Sequence, residues 1–139
     1  MGCDIHAYVE YCNPELGAEG KPYWVSCGHR FNPGKNYLLF TLMAGVRGDP
    51  DAALFEPRGI PNPLGWTSQE DWLLDHSDCH TPSWLTVKEF KKVLRAYVHQ
   101  TKKESRSGKP PPEYAALLAA MEALETWKYK VRLVFWFDS

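Results

Sequence analysis

The sequence predicts a small α+β domain: an antiparallel sheet built from an N-terminal hairpin and a C-terminal strand, packed by about three helices, with one long functional loop. Three observations carry this. Apolar side chains alternate with period two at both ends of the chain, they recur at helical spacing between, and a proline-rich run of roughly 20 residues interrupts the middle. The elements read ββ–α–loop–α–α–β. Pairing the last strand beside the first closes the sheet, with the helices on one side.

From Asp4 to Cys12, Ile5, Ala7, Val9 and Tyr11 point one way and Asp4, His6, Tyr8 and Glu10 the other, the pattern of a half-buried strand. Asn13-Pro14, Gly17 and Gly20 make a turn-rich loop, and a second strand runs from Pro22 to Arg30. Asn32-Pro33-Gly34 breaks the chain. Tyr37 to Val46 is apolar nearly all round and reads as a short buried helix, with Gly45 near its end. Arg47 to Trp66 holds Pro50, Pro57, Pro61 and Pro63; so long a structureless run inside one domain usually serves function. Ser68 to Asp75 gives one or two helical turns, and His76 to Trp84 a polar loop.

Thr86-Val87-Lys88-Glu89 is a capping box opening a helix with Val87, Phe90, Leu94, Tyr97 and Val98 on one face. Residues 104–112, rich in Ser, Lys and Pro, form a mobile linker between two helices. Pro112 suits a first helical position, followed by Tyr114, Leu117, Leu118, Met121, Leu124 and Trp127 at helical spacing. In the last strand Val131, Leu133, Phe135 and Phe137 alternate with Lys130, Arg132, Val134 and Trp136. Apolar on both faces, it belongs at the centre of the sheet.

At 139 residues the chain makes a single domain, 1–139, large enough to bury a core without metal or disulfide staples. A net charge of −1 gives no global field for a nucleic-acid polymer. No apolar run approaches the ~20 residues of a membrane span, and no secretory pattern opens the chain. Cys3, Cys12, Cys27 and Cys79 lack Cys-x-x-Cys spacing and read as reduced cytosolic thiols. Residues 85–110 carry eight basic and two acidic side chains, either an anion-facing helix or a solvated face with a flexible tail.

Two segments share a pattern that carries chemistry. Asp4-Ile5-His6 sets a carboxylate and an imidazole on one strand face, and Asp78-Cys79-His80 repeats Asp-x-His in a loop. Two such pairs suit metal-free acid–base work, each Asp fixing the tautomer of its His, or a site for Zn, Mn or Fe. The alternative is structural, with His6 bonded at the sheet edge and His80 in a turn. The metal-free form is expected, with no cofactor. Arg47 and Arg58 are flanked by glycine and proline, and a guanidinium fork matches phosphate bidentately; alternatively both brace the loop. Ser83, Trp84 and Tyr37 complete the expected ligand-binding set. Neither a nucleophile elbow nor a Gly-rich phosphate fingerprint is present.

The opening Met1-Gly2-Cys3-Asp4-Ile5-His6, the Asn36-Tyr37 to Gly45-Val46-Arg47 segment and the Arg58-Gly59-Ile60-Pro61 turn carry a resemblance. So do Asp78-x-His80-x-x-Ser83-Trp84-Leu85-Thr86 and the closing run from Val131 to Asp138. Together they resemble a family of small, mostly uncharacterised proteins of tailed bacteriophages. The resemblance implies a phage-encoded protein in the cytoplasm of the bacterial host; it implies no reaction. By analogy of class, some small phage proteins bind or degrade nucleotide signals of host defence. The expected function is hydrolysis of a phosphodiester in a nucleotide-type ligand, with His6 and His80 as acid and base, Asp4 and Asp78 orienting them, and Arg47 and Arg58 as clamps. Two alternatives are a binder that sequesters the nucleotide and a module that inhibits a host enzyme by contact. A homo-oligomer stays open; no membrane partner is expected.

Overall fold

A computed structural model describes residues 2–18, 21–102 and 108–139. Four strands pair antiparallel in the order β2-β1-β4-β3, with β1 (Asp4–Ala18) and β4 (Lys130–Asp138) in the centre. β2 (Lys21–Ser26) and β3 (Cys79–Thr86) form the edges. β1 and β4 pair without interruption from Asp4 opposite Asp138 to Cys12 opposite Lys130. The chain is thus α+β, with the last strand beside the first, as the alternating patterns require.

The first strand runs on to Ala18, beyond the expected end at Cys12, through an irregularity between Asn13 and Ala18. After β2 the chain turns back, and Phe31 pairs with Ala7 through two backbone hydrogen bonds of 2.7 and 3.3 Å. That bridge sets Arg30 alongside β1.

Helix α1 (Tyr37–Ala44) is capped by Asn36, whose side chain accepts from the Leu39 N–H at 3.0 Å, and ends at Gly45 with φ 71°. Glycine reaches that left-handed conformation without strain, and there the Cα of Pro50 leaves no room for a Cβ. A 3₁₀ turn covers Pro50–Ala52. Helix α2 spans Trp66–Asp75 and α3 Val87–Thr101, the latter opened by both hydrogen bonds of the Thr86/Glu89 capping box. Helix α4 (Pro112–Glu125) begins on its proline. Residues 103–107 lie outside the described residues, and with them positions 104–107 of the expected linker.

Helices α1, α3 and α4 cover one face of the sheet. Phe40, Met43, Phe90, Val93, Leu117 and Met121 pack there on Ile5, Ala7, Leu133, Phe135 and Phe137. The second face is covered too, which corrects the expectation of helices on one side. Tyr8, Val134 and Trp136 are fully buried under Ile60 and Leu64 of the long loop and Trp72 of α2. His6, Glu10 and Arg132, which alternation alone turns toward solvent, are therefore buried as well.

The segment expected as a polar loop over 76–84 supplies β3 instead. His80, Thr81 and Pro82 weaken its strand pattern, and the pairing slips between His80 and Ser83, with Thr81 at φ 53°. A bulge absorbs the extra residue. Pairing with the apolar edge of β4 outweighs the weak local preference.

Holding the loop and α2 on the second face is a buried charge network. Glu10, wholly buried, accepts from Arg132 Nε at 2.9 Å and Nη2 at 2.7 Å. Its other oxygen accepts from the Gly65 N–H at 2.9 Å and the Ser68 hydroxyl at 2.6 Å. Arg132 also donates to the Pro63 carbonyl at 2.6 Å and lies 3.7 Å from the Trp24 ring centroid. Every lone pair and proton so engaged offsets the cost of burying the two charges.

Candidate functional site

The antiparallel register brings three strands together at one end of the second face. Asp4 on β1 lies opposite Asp138 on β4, which lies opposite Cys79 on β3. His6 follows two residues along β1 on the same face. A His6 nitrogen, the Cys79 sulfur and an Asp138 oxygen all fall within 4.8 Å of one another.

The His6 ring is 5% exposed and has both nitrogens engaged. Nε2 stands 2.5 Å from Asp138 Oδ2, and Nδ1 stands 3.0 Å from an Nη1 of Arg30. A guanidinium can only donate, so Nδ1 accepts and the ring proton sits on Nε2, donated to Asp138. The result is an Asp–His–Arg chain with one tautomer, running from a half-buried carboxylate to an exposed cation. The Trp136 ring lies beside the imidazole, 6.3 Å between centroids, and its buried indole N–H meets no acceptor among the described residues.

Next to it, Tyr8 donates its hydroxyl to Asp71 of α2. Burial, and then this carboxylate, push the phenol well above its ordinary range. Burial and then the Asp138 charge raise the Cys79 thiol to about 11. At neutral pH Cys79 is therefore a thiol, not a nucleophilic thiolate.

His, Cys and Asp are ligands that Zn accepts, and three of them with a free position is the catalytic pattern. Both imidazole nitrogens are taken, however. A metal on Nε2 would displace the Asp138 contact, and would leave Nδ1 needing a proton where Arg30 points a donor. The cluster has the donors for a metal-free acid–base pair and, with the Asp138 and Arg30 contacts rearranged, for a metal ion.

The remaining expected residues divide among other places. His80 pairs with Phe137 and stacks on it at 6.2 Å, on the α1/α3/α4 face, while His6 pairs with Trp136 on the face beneath α2. The two imidazoles lie on opposite faces of the sheet, so the structure does not assemble a His6/His80 acid–base pair. The slip in β3 comes after His80 and leaves its parity with Phe137 intact. His80 instead contacts the hydroxyls of Thr81 and Ser139 at 2.8 and 2.7 Å. Asp78 is exposed in the turn before β3, and its N–H donates to the Asp75 carbonyl. Asp4 is in the row but faces Lys35 at 3.5 Å, and Asp138, not Asp4, orients His6.

Arg58 braces the loop. Its fork binds Glu89 at 2.7 and 2.5 Å, it donates to the Trp84 carbonyl at 3.1 Å, and it stacks on the Trp84 ring at 4.5 Å. Ser83, 1% exposed, accepts from the Arg58 N–H at 3.0 Å. Trp84 packs with Val134 and Trp136. These three form a structural joint between the loop and β3, not a phosphate clamp. Arg47, exposed at φ 64°, lies 5.3 Å from the ring centroid of Tyr37, whose hydroxyl accepts from the Cys3 N–H. That pair belongs to the helix α1 side.

Arg30, Asp138 and Cys79 are the site residues that sequence reasoning missed. Parity along β4 sets Asp138 on the Trp136 face, but only the register tells which residue of β1 it meets. Nothing in the sequence distinguishes Arg30. No family model, curated protein or solved structure matches the chain. No helix among the described residues is long and apolar enough to cross a membrane.

Proposed function

We propose that the protein hydrolyses a phosphodiester in a nucleotide-type small molecule, with His6 as general base, Asp138 as its positioning residue and Arg30 as the anion contact. The observation that carries this is the Asp138–His6–Arg30 chain, which fixes one tautomer of a nearly buried imidazole and ends in an exposed guanidinium. Arg30 pairs more strongly with a phosphate than with a neutral ring nitrogen. Moving to the phosphate, it releases the Nδ1 lone pair toward the same ligand. Water then gives its proton to Nδ1 as its oxygen bonds to phosphorus. The ester P–O bond breaks, and the imidazolium, held by Asp138, returns that proton to the leaving oxygen. The analogy of class with small phage proteins that handle nucleotide signals of host defence points to such signals as the substrates.

The test is incubation with linear and cyclic nucleotides, with and without chelator, resolved by chromatography. Turnover is expected that survives chelation, falls about 10²–10⁴-fold in His6→Ala and Asp138→Asn, and persists in His80→Ala. Turnover that His6→Ala retains refutes the assignment. A nucleotide held unchanged makes the protein a sequestering binder, and loss on chelation with near-stoichiometric Zn makes His6 a ligand.

A contact module inhibiting a host enzyme is the second reading. It is favoured by the exposed apolar residues of α2: Trp66 at 73%, Leu73 at 62% and Leu74 at 79% exposure. Trp66 and Leu73, two turns apart, share one face of the helix.

A further inference from the structure

A cavity of about 620 Å³ lies between α3 and α4, on the α1/α3/α4 side of the sheet and away from His6. Leu94, Val98 and Leu118 give it an apolar floor, and Arg95, His99 and Lys102 line it from α3. Lys91 stands at one end, 3.7 Å from Glu122 of α4 with both side chains nearly half exposed, a pairing that solvent weakens.

The spacing is what makes this more than a solvated helix face. Lys91, Arg95, Val98 and Lys102 follow at intervals of three and four residues, so they form one stripe along α3. The stripe runs about 16 Å at 1.5 Å per residue. The apolar floor from Leu94 to Val98, with Leu118 of α4 opposite and the cationic stripe along its border, matches an alkyl chain ending in an anion. Nucleotides fit poorly, because the floor offers no polar group to read a base.

We propose that this groove binds a single-chain anionic amphiphile, the alkyl chain on Leu94, Val98 and Leu118 and the carboxylate among Arg95, His99 and Lys102. The proposal is independent of the His6 site. A volume of this size lies within the ordinary range for small-molecule sites.

The probe is dansyl-aminoundecanoic acid on the full-length protein, followed by fluorescence and displaced by dodecanoate. Saturable binding is expected, with dodecanoate competing and dodecyltrimethylammonium failing to compete. Val98→Trp fills the trough and is expected to abolish binding. Arg95→Glu with Lys102→Glu is expected to weaken dodecanoate about tenfold while dodecanol still displaces the probe. Circular dichroism and melting of each variant report whether the fold is kept; Val98→Ser is the second variant if Val98→Trp unfolds, and is expected to weaken both dodecanoate and dodecanol. Absence of saturable binding, equal competition by the cationic amphiphile, or unchanged affinity in the folded variants overturns the proposal.

Discussion

Replacing Arg58 with alanine separates a brace from a clamp. The substitution removes two charge-assisted hydrogen bonds to Glu89, one bond to the Trp84 carbonyl and a cation–π contact at 4.5 Å. The Arg58 fork, and after it the Thr86 cap, hold the Glu89 carboxyl at about 2, from an ordinary 4.5. Full linkage over that interval is roughly 3 kcal/mol. Solvent reaches both side chains, so about half of it is a fair estimate, and the stacking contact adds about 0.5–1 kcal/mol. The expected loss is about 2–3 kcal/mol at pH 7. For 139 residues the melting temperature falls by roughly 7–10 °C. Because the folded-state carboxyl is lowered, this stability is fully present above pH ~4.5 and fades as pH falls toward 2. The gap between wild type and Arg58→Ala therefore closes over that window. Urea unfolding from pH 7 to 2.5 measures it. An Arg58→Ala protein that melts like wild type but loses nucleotide handling would refute the bracing role and restore the phosphate clamp.

Arg132→Met leaves the wholly buried Glu10 without its cation and should cost about 3–5 kcal/mol, whereas Glu10→Gln with Arg132→Met should recover part of it; equal losses in urea unfolding would show that the unpaired Glu10 charge is not the source of the cost. In Gly65→Ala the new Cβ falls 2.9 Å from the Glu10 carboxyl carbon, so a loss of about 1–3 kcal/mol in thermal melting is expected, and a neutral result would show that the loop yields freely. Alkylation of Cys79, followed by peptide mass spectrometry, should rise with pH toward about 11; a half-maximal rate near pH 8.5 would contradict the half-buried, Asp138-facing thiol.

Sequence alone determined what depends on neighbours along the chain. The alternation from Asp4 to Cys12 and from Val131 to Phe137, the Thr86/Glu89 capping box and the start of α4 at Pro112 are local, and each marks an element of the fold, although β1 runs on past Cys12 to Ala18. The central place of β4 followed from its being apolar on both faces. Local preference could not find β3, because Thr81 and Pro82 break its pattern and only the open edge of β4 makes a strand of it. Nor could it tell that the loop and α2 fold over the second face, because Glu10 and Arg132 read as surface charges until they meet. The site divides in the same way. His6 was legible as half of an Asp-x-His pair, but its partners were not. Asp138 stands 132 residues away, and Arg30 arrives by a bridge between Phe31 and Ala7. His80 carries the same motif, yet strand parity, fixed only by pairing with Phe137, sends it to the opposite face. Residue type sets what chemistry a side chain can do; register, which depends on contacts between distant segments, sets which side chains can do it together.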